Sequence, residues 1–498
     1  MADLINKDFA DNKIPLERID TSKEWQSKFK IRTDLAPKEF KKQFLDPISA
    51  SFCMAKWMEA TIWLYLGETA SCHHNPTHKI ELDPNDPKTL HNTPTKIHER
   101  HRMLKGEKPN GCSYCWNAEK FDQVSDRYLK SRSYNSHLIT SDIPDVVLPQ
   151  RLEIAFSRTC NLACAYCGPK FSNTWAKDLQ KHGPYDIQTN NKYQDTFKDK
   201  VIKEEDNPYI QAFFDWWPEL KKDLITMRFT GGEPLLHTKF WEFLDLIEND
   251  TTYKGSLIVN SNLIHKNNIL EKFIEKTKWI WNNPWTPPGR NRNGVEIHTS
   301  CESNMAQAEW IRDGFEADKW YKNVRTVLKT SNIRLTMTTA VSNATVWSYV
   351  EYLRMCQTLR KEFGKERVNL NANRVYHPHF YQIQLIPKEL RRDLADEIEY
   401  CMKNEFDLLD DETSQLQIWN LVDFLRNSDY EPIDGIRTET IHMDMVKFFD
   451  QYKIRRNKTN EGLDERYVNW LEETRQRYWP GQIATQTHID NLITKVNL

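Results

Sequence analysis

Hydrophobic and polar positions alternate in a repeating rhythm through the middle of the chain. Short β-branched runs occur at LEIAF (152–156), ITMRFT (225–230), SLIVNSN (256–262), VEIHTS (295–300), IRLTMTTAV (333–341) and VNLNANRV (368–375). From the second run on, successive starts lie 31, 39, 38 and 35 residues apart, the length of a strand plus its crossover helix. The intervening segments carry helical spacing. In KWYKNVRTVLK, Trp320, Val324, Val327 and Leu328 fall on one face, and NATVWSYVEYLRM opens with Asn343 or Thr345 as a cap. Six strand–helix units predict an α/β fold with a parallel sheet, either open and doubly wound or curved into a partial barrel.

In both architectures ligands sit where the C-terminal strand ends meet their loops. Those ends read Ser157-Arg158-Thr159-Cys160, Thr230-Gly231-Gly232-Glu233, Asn260-Ser261-Asn262, Ser300-Cys301-Glu302, Ser342-Asn343 and Arg374. A single polar residue at such an end is usually a turn former. A cysteine triplet followed by Gly-Gly-Glu on the next end is a stronger signal.

Around this body, residues 1–45 read as an N-terminal arm and 46–150 as a small cysteine-bearing module, pinned by metal rather than by a large core. The strand–helix body takes 151–387, and 388–498 reads as helical, with PKELRRDLADEIEYCMKN, QLQIWNLVDFLRN and DERYVNWLEETRQRYW as its segments. WIWNNPWTPPGRNRNG (279–294) reads as an ordered surface insertion, with a substrate lid as the alternative.

Composition narrows the classes. A net charge of −2 gives no global reason to bind nucleic acid or an anionic membrane. The N-terminus lacks an apolar signal segment, and IWLYL (62–66) is among the longest apolar runs. A cytoplasmic protein is expected, with its ten cysteines reduced, buried or metal-bound. Seven of them form two groups: Cys53, Cys72, Cys112 and Cys115, then Cys160, Cys164 and Cys167.

CNLACAYC (160–167) offers three thiolates where a four-iron cluster or tetrahedral zinc takes four ligands. Three thiolates can hold three corners of a cubane and leave the fourth iron open to a small molecule. This C-x3-C-x2-C, with Tyr166 before its third cysteine, and FTGGEP (229–234) on the second strand end resemble the signature of the radical S-adenosylmethionine (SAM) superfamily. The resemblance implies a partial (β/α)6 radical SAM barrel and a [4Fe-4S] cluster on Cys160, Cys164 and Cys167. SAM would chelate the open iron and be cleaved reductively to a 5′-deoxyadenosyl radical that abstracts hydrogen. It also implies cofactor contacts from Tyr166, from Gly231, Gly232 and Glu233 to the methionine ammonium, and from Ser261, Asn262, Ser300 and Glu302 to the ribose. Glycines allow close backbone approach, and a carboxylate pairs with a cation.

The early quartet, its last two members spaced C-x2-C, suits either a closed tetrahedral zinc site or a second four-iron cluster. FC-x-A-x-W, G-x4-C and GC-x2-C, followed by Glu119 and SDR (125–127), resemble the auxiliary-cluster segment of SPASM and twitch radical SAM proteins. The cysteine count matches the twitch type, which implies one auxiliary [4Fe-4S] cluster on Cys53, Cys72, Cys112 and Cys115. In the better-known twitch enzymes these ligands follow the barrel; here they precede it. His73 and His74, beside Cys72, read as surface residues or ligand partners rather than ligands.

Among the remaining candidates, Cys301 reads as a small buried residue facing a helix, with hydrogen donation to a radical as the alternative. His298 shares the Ser300 face. Arg374, with Asn371 and Asn373, suits either a substrate carboxylate or phosphate, or an ordinary salt bridge. Cys356 and Cys401 read as plain helix residues. The expected function is radical modification of a peptide or protein side chain, served by an external flavodoxin- or ferredoxin-type donor. The alternative is oxidation of a small molecule such as a sugar or amino alcohol. A non-catalytic zinc- or cluster-bearing interaction protein is the remaining class.

Overall fold

The computed structural model describes residues 35–480, except 121, 123, 135–137, 190–192, 199, 249, 251, 254, 267, 282–293, 406–411 and 431–434. Most of the expected N-terminal arm and of the 279–294 insertion therefore lies outside the described residues.

Among the described residues eleven strands are formed: β1 Glu59–Trp63, β2 Glu68–Ala70, β3 His78–Lys79, β4 Arg151–Ala155, β5 Ala163–Cys164, β6 Thr226–Phe229, β7 Ser256–Ser261, β8 Val295–Ser300, β9 Arg312–Asp313, β10 Arg334–Val341 and β11 Val368–Arg374. Nine of them build one sheet in the order β11-β10-β8-β7-β6-β4-β1-β2-β3. The strands read from the sequence as 152–156 to 368–375 are β4, β6, β7, β8, β10 and β11, parallel neighbours in chain order with a helix between each pair. The fold is mixed α/β, and its largely parallel sheet winds in one direction across these strands.

The sheet also crosses the expected boundary at residue 150. β1, from the cysteine module, pairs in parallel with β4, placing Thr61 beside Glu153 and Ile62 beside Ile154. The module thus extends the sheet edge: Ala60, Ile62, Leu64, Ile80 and Leu90 join the sheet's core, while Phe52, Met54, Trp57, Met103, Tyr128 and Tyr134 belong to a second one. β1 left no alternating signature because Glu59, Ala60, Thr61 and Ile62 are all buried.

The two faces of the sheet differ in chemistry. Leu152, Ile154, Met227, Phe229, Leu257, Val259, Val295, Ile297, Leu335, Met337, Val368 and Leu370 are buried in one apolar core. Each such side chain contributes about 1.5–3 kcal/mol through burial. The opposite face is polar. Register places Glu153, Arg228, Ile258, Glu296 and Arg334 in one row, Asn260, His298, Thr336 and Asn369 in the next, and Ser300, Thr338 and Asn371 beyond.

Helix Ala317–Thr330 buries Trp320, Val324, Val327 and Leu328 as their spacing predicts. The expected cap before helix Tyr349–Phe363 is not made. The Thr345 hydroxyl turns back to Ala340 O at 3.0 Å, the Asn343 amide donates to Phe380 O at 2.8 Å, and a 3-10 turn, Val346–Ser348, intervenes. The C-terminal region is helical over Lys388–Asn404, Glu412–Asn427, Thr438–Arg455 and Glu465–Tyr478. Among the described residues no helix is long and apolar enough to cross a membrane.

Candidate functional site

The loop after β4 carries Cys160, Cys164 and Cys167. Leu162, Ala163, Cys164 and Ala165 in it are buried, so its carbonyls need partners. They receive them from side chains: Thr174 Oγ1 donates to Cys160 O (2.6 Å), Ser172 Oγ to Leu162 O (2.9 Å), Trp175 Nε1 to Cys164 O (2.9 Å) and Tyr193 OH to Ala165 O (2.7 Å). Tyr452, from the C-terminal helix Thr438–Arg455, donates to Ile311 O at 3.2 Å and lies 3.4 Å from Ala163 O. The C-terminal helices therefore brace the cysteine loop from behind.

The next strand ends close on the same loop. Gly231 has φ +112°, and a Cβ there would sit 2.6 Å from Ser157 O. At Gly232 a Cβ would meet Thr159 O at 2.3 Å, so only glycine permits this approach. The turn is pinned by Glu233 N–H to Thr159 O at 2.8 Å and Gly232 N–H to Ser157 O at 3.3 Å. Beyond β7, Asn262 Nδ2 donates to Asn161 Oδ1 at 2.8 Å. Beyond β8, Tyr166 OH donates to Glu302 Oε1 at 2.9 Å. The three cysteines, Tyr166, Gly231, Gly232, Glu233, Ser261, Asn262, Ser300 and Glu302 thus meet at one end of the sheet.

Their environments are not alike. Glu233 is buried, and its oxygens accept from Asn262 N–H (2.7 Å), Leu235 N–H (3.3 Å) and His265 Nε2 (3.2 Å). Glu302 is fully buried, with both oxygens in the fork of Arg312. Ser261 Oγ accepts from Leu263 N–H at 3.1 Å, and Asn262 Oδ1 from Ile264 N–H at 2.8 Å. These carboxylates and turn residues hold the loops together. Ser300 is half-buried on the polar face.

Arg312 was not legible in the sequence. The two-residue bridge of β5 with β9 sets it against Cys164, and its Nη1 lies 3.7 Å from Cys164 Sγ. Burial pushes the Cys164 thiol up to about 12 against the opposing Arg312 charge, and burial beside Cys164 and Glu233 raises Cys160 well above its usual range. Such thiols stay protonated until a metal displaces the proton.

No family model and no curated protein matches the chain.

The second cysteine group is assembled at the adjoining sheet edge. Cys53, Cys72, Cys112 and Cys115 line one cavity with Lys56, His74, Asn75, Asp126, Arg127 and Lys130. Cys53 precedes the short helix Ala55–Met58 that leads into β1, Cys72 follows β2, and Cys112 and Cys115 span the start of helix Ser113–Lys120. Burial, reinforced by Cys112 and Cys72, pushes the Cys53 thiol up to about 12. Arg127, itself buried, is fixed by Glu119 at 2.7 and 2.8 Å, which accounts for the Glu119 and SDR pattern.

Four thiols on one cavity can hold a tetrahedral zinc or a four-iron cluster. Among the described residues, the one group of three or more His, Cys, Asp or Glu ligand atoms lying within 4.8 Å of one another is His73, His74 and Asp126. In the histidine group, His74 Nε2 lies 2.6 Å from Asp126 Oδ2, while the Lys130 ammonium, 3.2 Å from His73 Nδ1, opposes a cation there.

The other candidates fall as follows. Cys301 is fully buried on the helix side, its thiol directed to Ser303 O at 3.6 Å; Cys356 and Cys401 are buried helix residues. His298 is half-buried on the polar face, 3.0 Å from Glu296 Oε1. Arg374 stacks on Phe424 at 3.9 Å. On the polar face, Asn260 Oδ1, Thr338 Oγ1 and Asn371 Oδ1 are buried acceptors without a hydrogen-bond partner among the described residues.

Proposed function

We propose that the chain is a radical SAM enzyme of the twitch type. In this reading β4, β6, β7, β8, β10 and β11 are the strands of a partial (β/α)6 barrel, Cys160, Cys164 and Cys167 hold a [4Fe-4S] cluster with one open iron, and Cys53, Cys72, Cys112 and Cys115 hold a second cluster. The observation that carries it is the meeting of the three-cysteine loop and the Gly-Gly-Glu turn at one sheet end, with a separate four-thiol cavity at the adjoining edge.

Bound at the three thiols with SAM, the first cluster would supply the electron that splits the sulfonium into methionine and the 5′-deoxyadenosyl radical. The chain's own part is positioning. Carbonyl braces fix the cysteine loop, Gly231 and Gly232 let a ligand approach the backbone, and Arg312 steadies Cys164. Glu233 and Glu302 also tie the loops together through their protein partners, beside the SAM contacts that the resemblance implies for them.

The polar sheet face is the substrate side. Its amides and hydroxyls, Asn260, Thr338 and Asn371 among them, are of the kind that accept from N–H or O–H donors. Peptide amides supply such donors and lead the reading; sugar or amino-alcohol hydroxyls supply them too and keep small-molecule oxidation as the second. An external one-electron donor of the flavodoxin or ferredoxin kind completes the system.

Metal analysis after anaerobic reconstitution tests the assignment. About eight irons per chain, one four-iron cluster for each cysteine group, is the expected result. About four irons with one zinc removes the auxiliary cluster. Zinc alone overturns the whole reading.

A further inference from the structure

Among the four sulfurs of the auxiliary cavity, Cys112 Sγ has two side-chain N–H donors at hydrogen-bond distance. Lys56 Nζ lies 3.8 Å from Cys112 Sγ, and Asn75 Nδ2 lies 3.5 Å from it.

Both donors are held by the ligand segments themselves. Lys56 is 2% exposed, its N–H bonds to Cys53 O at 3.0 Å, and its ammonium is clamped on the far side by Glu99. The Asn75 amide lies between two ligands, its Oδ1 3.0 Å from Cys72 Sγ, which donates as a thiol, and its Nδ2 3.5 Å from Cys112 Sγ. Gly111 makes the room: a Cβ there would stand 3.0 Å from Asn75 Nδ2 and 3.4 Å from Glu99 Oε1. A buried ammonium needs a paired anion and hydrogen-bond partners. Glu99 provides the anion, and the Cys112 sulfur lies within hydrogen-bond reach on the other side.

We infer that Lys56 and Asn75 are positioning residues that set the reduction potential of the auxiliary cluster through Cys112. Net charge and hydrogen bonds to the cysteine sulfurs are the protein's levers on such potentials. A cationic donor withdraws more electron density from sulfur than a neutral amide does. Lys56 therefore raises the potential most and Asn75 less, favouring the reduced form. The inference rests on the auxiliary-cluster reading above.

The test isolates the second site. In full-length protein with Cys160, Cys164 and Cys167 replaced by alanine, only the early quartet can hold a cluster. After anaerobic reconstitution, iron is counted and the midpoint potential is followed by EPR during a redox titration. At the parent's midpoint, the reduced-to-oxidised ratio should fall about tenfold in Lys56→Met, equivalent to 59 mV for one electron, and less in Asn75→Leu. Lys56→Arg should stay close to the parent. Full iron with an unmoved midpoint in both Lys56→Met and Asn75→Leu overturns the inference and leaves the cluster reading intact. No iron in the quartet of the parent overturns both. If Lys56→Met takes up no iron, the direction of the Asn75→Leu shift decides, a downward shift supporting the inference and no shift overturning it.

Discussion

Arg312 holds Cys164 and Glu302 at once: its Nη1 lies 3.7 Å from Cys164 Sγ while its Nε donates to Glu302 Oε2 at 2.6 Å. The pair is buried, and Tyr166 OH completes it from the cysteine loop. A strand end, a short β-bridge and a thiol ligand are thereby fixed as one unit.

Removing one partner of this pair leaves a buried charge uncompensated. Glu302→Gln should cost about 3–5 kcal/mol of stability, whereas replacing both partners, as in Glu302→Leu with Arg312→Met, should recover most of that loss. Urea unfolding of the single and double variants measures the difference. Equal destabilisation in the single and double variants would show that the pair is not coupled.

Gly232 supports a second prediction. A Cβ there collides with Thr159 O and Arg158, both in the segment leading to Cys160. Gly232→Ala should destabilise the protein by about 1–3 kcal/mol and displace the cysteine loop. Reconstituted iron should fall from about eight to about four per chain, the loss confined to the three-cysteine site. The auxiliary quartet shares no atom with this turn and should fill normally.

Much of this arrangement was legible in the sequence. The β-branched runs predicted the six parallel strands to within a residue or two, because each has a sealed apolar face that fixes its alternation. The cysteine groups and the Gly-Gly-Glu turn were legible because their spacing is local. β1 was missed because it is buried on both faces. Helix Thr438–Arg455 lies in the stretch read as helical but is not one of the segments named there; Ile441, Met445, Phe448, Phe449 and Tyr452 are buried on it, yet His442, Asp444 and Asp450 are buried among them and blur the stripe. Arg312 and Lys56 had no local signal, since their partners Glu302 and Cys112 are brought to them only by the tertiary fold. The partners of Glu233 and Glu302 were likewise invisible.

Glu59 links stability to pH. Burial pushes its carboxyl up, but the Lys130 and Arg151 charges outweigh that and, with hydrogen bonds from Lys130 and Tyr134, hold it at about 2, below the ordinary 4.5. A folded value below the unfolded one stabilises the fold fully above the unfolded value, and the contribution is lost as pH falls from about 4.5 to about 2. The amount is on the order of 3 kcal/mol. Unfolding free energies of the parent and Glu59→Gln should therefore converge as pH falls through that window. A constant gap between them would remove Glu59 from the account.

The central claim is that Cys160, Cys164 and Cys167 support reductive cleavage of SAM. After anaerobic reconstitution, the protein should form 5′-deoxyadenosine from SAM and dithionite, and Cys164→Ala should form none while keeping the auxiliary iron. No 5′-deoxyadenosine from the parent, or undiminished formation by Cys164→Ala, would contradict it.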